Sequence, residues 1–166
     1  MINEIALPVH PDCFVCDSTN PMGIGVQWFG QPDHRSIRGT VTLTQTYVGP
    51  PNHAHGGASA AVLDDAMGTC AWFAGHQVMT AKMTVNYRRP VPLDTPLQVA
   101  AAVEKVDGRK IYINAQIHLP DGTVATESDG LFIVIPEAFL DDASGRFAGM
   151  KAYASEVNTA RDQASS

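Results

Sequence analysis

The chain has 166 residues, 45% of them hydrophobic, which suffices for one globular domain with a sizeable core. Lys and Arg total 11 against 17 Asp and Glu, and the resulting net charge of −6 argues against nucleic acid as a partner. No uncharged stretch reaches bilayer-spanning length and the three cysteines are odd in number, so the expected setting is cytoplasmic, without membrane contact or a secreted disulfide framework.

Residues 1–23 hold Pro8, Pro11, Pro21 and Gly23 and are expected to form an irregular lead-in with at most a short helix. Met1-Ile2-Asn3-Glu4-Ile5 has neither the basic nor the apolar region of a signal peptide. Cys13-Phe14-Val15-Cys16 offers half of a zinc ligand set, with His10 or His34 as conceivable partners. No second cysteine pair completes the set, so the reading is a structural thiol pair and no metal. A strand is expected over 24–29, then a turn at 30–33. From Ile37 to Leu43 apolar and polar residues alternate, the period-two mark of a strand with one buried face. Pro50 and Pro51 stiffen the loop that follows.

Residues 55–75 read as one helix. Glycines open it, Gly75 stands where a left-handed C-cap is usual, and no proline interrupts. Apolar or small residues cover nearly every face, so the helix belongs in the core, where Ala58, Ala60, Ala61, Gly68 and Ala71 allow a sheet to come close. Two carboxylates, Asp64 and Asp65, interrupt this apolar segment. Buried aspartates are rare unless paired or used, and neighbours on a helix point about 100° apart, so one serves a site and the other does not.

The remainder is β in pattern. Met79, Ala81, Met83, Val85 and Tyr87 alternate with polar residues; Leu97, Val99, Ala101 and Val103 continue the series. Asp107-Gly108 turns the chain back into Ile111–Ile117, and Asp121-Gly122 leads to a last strand ending at 131–135. Residues 137–166 form an extension with a weak helix, fraying at Ala164-Ser165-Ser166. The expected fold is α+β, a curved antiparallel sheet wrapped around a long central helix within 24–136. Its exposed edges call for cover by a second subunit.

His55-Gly56-Gly57 presents free amides at a helix N-terminus, donors suited to a carbonyl oxygen that gains charge when attacked. Asp64 lies eight residues beyond Gly56, roughly 12 Å along the axis at the usual rise, too far for both to reach one carbonyl. If both act, Gly56 of one subunit faces Asp64 of another across a dimer interface.

The motif His55-Gly56-Gly57 with Asp64 at this spacing, Val78-Met79-Thr80, Asn86-Tyr87-Arg88-Arg89-Pro90-Val91-Pro92 and Val106-Asp107-Gly108-Arg109-Lys110 together resemble the hotdog-fold acyl-CoA thioesterases. The likeness is to the thioesterase superfamily member 4 type, within the branch that includes phenylacetyl-CoA thioesterases. It covers residues 24–135. The resemblance implies hydrolysis of acyl-CoA without a metal or redox cofactor, in a homodimer or a dimer of dimers with the active site at the subunit interface. It gives Gly56 the amide that polarises the thioester carbonyl and Asp64 the role of base or nucleophile. His55 flanks that hole and Thr80, on the polar parity of its strand, positions the water. Gly57, Asn52, Arg88 and Arg89 are candidate substrate-binding residues, with Arg109 and Lys110 as further counter-charges for phosphate. Some branches carry an asparagine six residues before the histidine of this motif; here that position is Gly49, with Asn52 nearby. His53, His76 and His118 read as surface or structural. Trp72, Phe73, Met67 and Met83 could shape an acyl pocket or simply fill the core. Dehydration on the same scaffold, and acyl-CoA binding without turnover, are the competing functions.

Overall fold

A computed structural model describes residues 4–141 and 148–164. In chain order it contains β1 (Ile5–Ala6), β2 (Gln27–Gly30), β3 (Ser36–Thr42), α1 (Gly56–Phe73), β4 (Val78–Tyr87), β5 (Pro96–Asp107), β6 (Lys110–His118), β7 (Val124–Val134), α2 (Glu137–Leu140) and α3 (Ala148–Ala164). The strands form one seven-stranded antiparallel sheet in the order β1-β2-β3-β5-β6-β7-β4, so β1 and β4 are its edges. The sheet packs around α1 as expected. Ile37, Val41, Leu97, Val99, Ile111, Ile113, Ile117 and Phe132 bury their side chains beneath it.

Both ends of α1 follow from their residues. His55 stands at the N-cap in extended conformation, and its Nδ1 accepts a hydrogen bond from the Gly57 N–H. At the other end Gly75 has φ +90°, the Gly75 amide donates to Trp72 O and the His76 amide to Ala71 O. These two bonds close the helix as a Schellman motif.

Four expectations require correction. The strand expected from Ile24 begins at Gln27, because Gly25 takes a φ of +80° that strand pairing does not allow. The lead-in contains a two-residue strand rather than a helix: Ile5 pairs with Gly30 and Ala6 with Phe29. The close approach of helix and sheet does not depend on Gly68, where a β-carbon would meet only Phe132 Cε1 at 3.9 Å. Strand glycines provide the room instead: a β-carbon at Gly130 would lie 2.6 Å from Phe132 Cε2 and 2.9 Å from Met67 Sδ.

The fourth correction concerns β4. Its even alternation fails at a bulge, where Thr80 pairs with Phe132 but Lys82 with Leu131, leaving Ala81 extra. Because paired residues share a face, Thr80 lies on the helix side with Phe132, and after the bulge Met83, opposite Gly130, takes that side. Thr80 therefore faces inward, where unbroken parity would turn it out. Most of β4 is exposed, including Met79 and Tyr87, because β7 pairs with only one of its sides.

The C-terminal segment forms a helix, α3, that buries Tyr153, Ala154, Val157 and Ala160. Tyr153 lies 5.5 Å from Trp72 of α1 and 5.3 Å from His10 of the lead-in, ring centre to ring centre. Lead-in and α3 thus cover the flank of α1 that the sheet leaves open. Met1, Ile2, Asn3, Ser165 and Ser166 lie outside the described residues, as does the side chain of Ala164, so the expected fraying falls there.

Candidate active site

Asp64 and Asp65 part company. Thr80, turned inward by the bulge, donates its hydroxyl to Asp64 Oδ1 at 2.8 Å. Asp65 Oδ2 accepts the Trp28 indole N–H at 2.7 Å, and its Oδ1 lies 3.5 Å from Cys13 Sγ. Asp65 is surrounded mostly by protein although part of it reaches the cavity. Burial, then the nearby Cys13, push its carboxyl up to about 7. Cys13 moves the other way, to about 5, because the Cys16 thiol and the Cys16 and Val15 amides favour its thiolate; the Cys16 thiol is correspondingly pushed up.

Both carboxylates nonetheless border one cavity of about 290 Å³, contrary to the expectation that their divergence on the helix keeps them from a common site. The cavity lies along the covered flank of α1, so two directions 100° apart both open into it. Its walls include Thr80 of β4, Cys13 and Cys16 of the lead-in, Gly68 and Trp72 of α1, and Met150 and Tyr153 of α3. The α3 residues carry no sequence signal for this role, since only docking of the helix brings them here. Of the four candidate pocket residues, Trp72 lines this cavity; Met67 and Phe73 are wholly buried and Met83 is half-buried.

Gly56 lies elsewhere. It borders a second cavity of about 400 Å³ with Ser59, Tyr87, Arg88, Arg89 and Val91. In this first turn His55 Nδ1 takes the Gly57 amide, and His55 O takes those of Ala58 and Ser59. Among the described residues the Gly56 N–H is left without an acceptor. The bond from Gly57 requires His55 Nδ1 to be unprotonated, so His55 caps the turn and Gly57 is not a free donor. The Tyr87 hydroxyl donates to Gly56 O at 3.0 Å, and a β-carbon at Gly56 would lie 3.2 Å from Tyr87 Cε1. That contact, invisible in the sequence, is one reason for glycine here.

Arg88 and Arg89 line the Gly56 cavity, and Arg88 donates from Nε and Nη2 to the single oxygen Glu127 Oε1 at 2.9 and 2.6 Å. Arg109 instead donates to Val134 O, outside both cavities. Asn52 occupies a left-handed corner, φ 63°, and is not among the residues lining the Gly56 cavity. Gly49 explains the missing asparagine: its β-carbon would lie 2.7 Å from His55 Cα. Thus one chain places a carboxylate with its hydroxyl partner in one cavity and a helix N-terminal donor in another.

Residues 51–126 match the family described as Thioesterase superfamily. Acyl-coenzyme A thioesterase THEM4 from Xenopus laevis is 40% identical over 86 residues, 51% of this chain and 39% of that protein. Acyl-coenzyme A thioesterase THEM5 from Homo sapiens is 30% identical over 129 residues, 74% of this chain and 51% of that protein. The chain therefore spans about half or less of the length of these relatives. A crystal structure of a thioesterase superfamily protein superposes with a TM-score of 0.66 at 43% identity, covering 69% of this chain and 56% of that one. The PaaI protein from the phenylacetic acid degradation operon of E. coli shares the fold at TM-score 0.62 and 16% identity, covering 68% and 81%. Among the described residues no helix is long and apolar enough to cross a membrane.

Proposed function

We propose, from the match of residues 51–126 to the thioesterase superfamily, that this chain hydrolyses acyl-CoA thioesters to a carboxylic acid and coenzyme A. The observation that carries the reading is the Asp64 carboxylate held by Thr80 beside a cavity. Asp64 takes a proton from water, the hydroxide attacks the thioester carbonyl carbon, and the charge that develops on oxygen meets the Gly56 amide. Collapse of the tetrahedral intermediate breaks the carbon–sulfur bond, and the coenzyme A thiolate leaves and is protonated. Direct attack by Asp64 through a mixed anhydride, later opened by water, uses the same residues. Oxygen-18 from water entering the aspartate in a single turnover would single out that route.

The two cavities favour a site shared between subunits, Asp64 and Thr80 from one and Gly56 from its partner. The β4 edge, ten residues long and paired on one side only, suits the contact, with a dimer of dimers as the larger assembly. Arg88 and Arg89 supply charge for the coenzyme A phosphates. No cofactor enters these steps. Three unpaired thiols fit a cytoplasmic setting.

The test is thiol release from short, medium, long and aromatic acyl-CoAs by wild type and Asp64→Ala, with folding checked by circular dichroism. Turnover that collapses in the variant supports the reading. Tight acyl-CoA binding without release would replace it with a binding module, and hydration of crotonyl-CoA with a hydratase.

A further inference from the structure

Three side chains that hydrolysis leaves idle meet in one wall of the Asp64 cavity. Cys13 and Cys16 come from the lead-in and Asp65 from α1, and one ligating atom of each lies within 4.8 Å of the other two. Tetrahedral zinc, with bonds of about 2.0–2.3 Å, sets its ligand atoms about 3.3–3.8 Å apart, so the cluster needs to close by about 1.5 Å at most.

The ligands are also oriented. The Val15 and Cys16 amides each donate to Cys13 Sγ at 3.3 Å, fixing the sulfur in place. Trp28 Nε1 holds Asp65 Oδ2, which leaves Oδ1 turned toward Cys13. An outer hydrogen bond that aims a carboxylate in this way is a common property of metal ligands. The sequence argument against a metal was the lack of a second cysteine pair; folding supplies the missing ligand from a residue 52 positions away. His10 lines the same cavity.

We propose that Cys13, Cys16 and Asp65 bind one zinc-class divalent cation, with the fourth coordination position open to the cavity. Two sulfurs with one carboxylate select a borderline-soft, tetrahedral ion over magnesium or calcium. The ion clamps the lead-in to α1 beside Asp64 and takes no part in the hydrolytic steps. It does not depend on whether Asp64 turns over a thioester.

The full chain, purified without chelator, is assayed for zinc, then stripped and titrated with Co2+ alone. Expected are about one zinc per chain and a near-ultraviolet sulfur-to-cobalt charge-transfer band. Zn2+ also shields Cys13 and Cys16 from alkylation by iodoacetamide, a readout that needs no variant. In Cys13→Ser and Asp65→Asn the affinity for Zn2+ falls by about 100-fold or more, whereas Cys70→Ser leaves it unchanged. Trace zinc with no cobalt band overturns the proposal, as does a band that survives in the Cys13→Ser, Cys16→Ser double variant. A native mass lower by two hydrogens, marking a Cys13–Cys16 disulfide, also overturns it.

Discussion

Deleting a single amide hydrogen tests the shared site. Gly56 is the first residue of α1, a position where proline is accepted, and His55 already has φ −63° and ψ 137°, the extended conformation that a following proline requires. Gly56→Pro therefore removes the donor while keeping the helix start. Tyr87 Cε1, 3.2 Å from the position of a new β-carbon, must yield by a few tenths of an ångström. Gly56→Ala introduces the same crowding but keeps the N–H, and so isolates the donor from the contact. Loss of one oxyanion donor raises the barrier by about 2.7–4 kcal/mol, so Gly56→Pro should lower kcat by about 10²–10³ and Gly56→Ala by far less.

Asp64→Asn removes the other half of the machinery. Coexpression of Gly56→Pro and Asp64→Asn chains with different affinity tags allows the mixed dimer to be isolated. If each site takes Gly56 from one chain and Asp64 from its partner, one site of the mixed dimer carries both lesions and the other neither, giving about half of wild-type thiol release. A mixed dimer no more active than the mean of the two parent homodimers would refute the argument, since both residues would then act within one chain.

Other substitutions test single contacts. Thr80→Val takes the hydroxyl from Asp64 and should lower kcat by about 10-fold to 100-fold in steady-state assays, with little change in melting temperature because Thr80 is exposed. Gly68→Ala should stabilise the fold by about 0.5–1 kcal/mol in denaturant titration, since its β-carbon meets nothing closer than 3.9 Å; a loss of stability would mean that the flank of α1 is tighter than described. Thr126→Val should also raise the denaturation midpoint, by roughly 1 kcal/mol of stability, because among the described residues the buried Thr126 hydroxyl has no hydrogen-bond partner and a methyl group fills the same space.

Local signals made much of the fold legible. The C-cap of α1 is written in Gly75, and the β5–β6 and β6–β7 hairpins in Asp107-Gly108 and Asp121-Gly122, whose glycines have φ of +57° and +83°. The Gly56-to-Asp64 separation follows from helix rise alone. Three features lay beyond such signals. Ala81 has no residue type that announces a bulge, the docking of α3 depends on a surface assembled only by folding, and the meeting of Asp65 with Cys13 joins segments far apart in sequence. Periodicity reports which side of an element is apolar; it does not report which polar groups tertiary packing will bring face to face.

The bulge in β4 acts as a frameshift within a strand. Residues before Ala81 are read in one phase and residues after it in the other, so Thr80 and Met83, three apart, share the helix side that an unbroken strand assigns to every second position. Substitutions on either side of Ala81 consequently answer to different demands, those of the cavity before it and those of the sheet beyond it. Were Ala81 paired in an unbulged strand, the residues before it would slip by one position and the hydroxyl that holds Asp64 would turn to the opposite face. In this fold one unpaired alanine that performs no chemistry decides which face of the strand presents a functional hydroxyl.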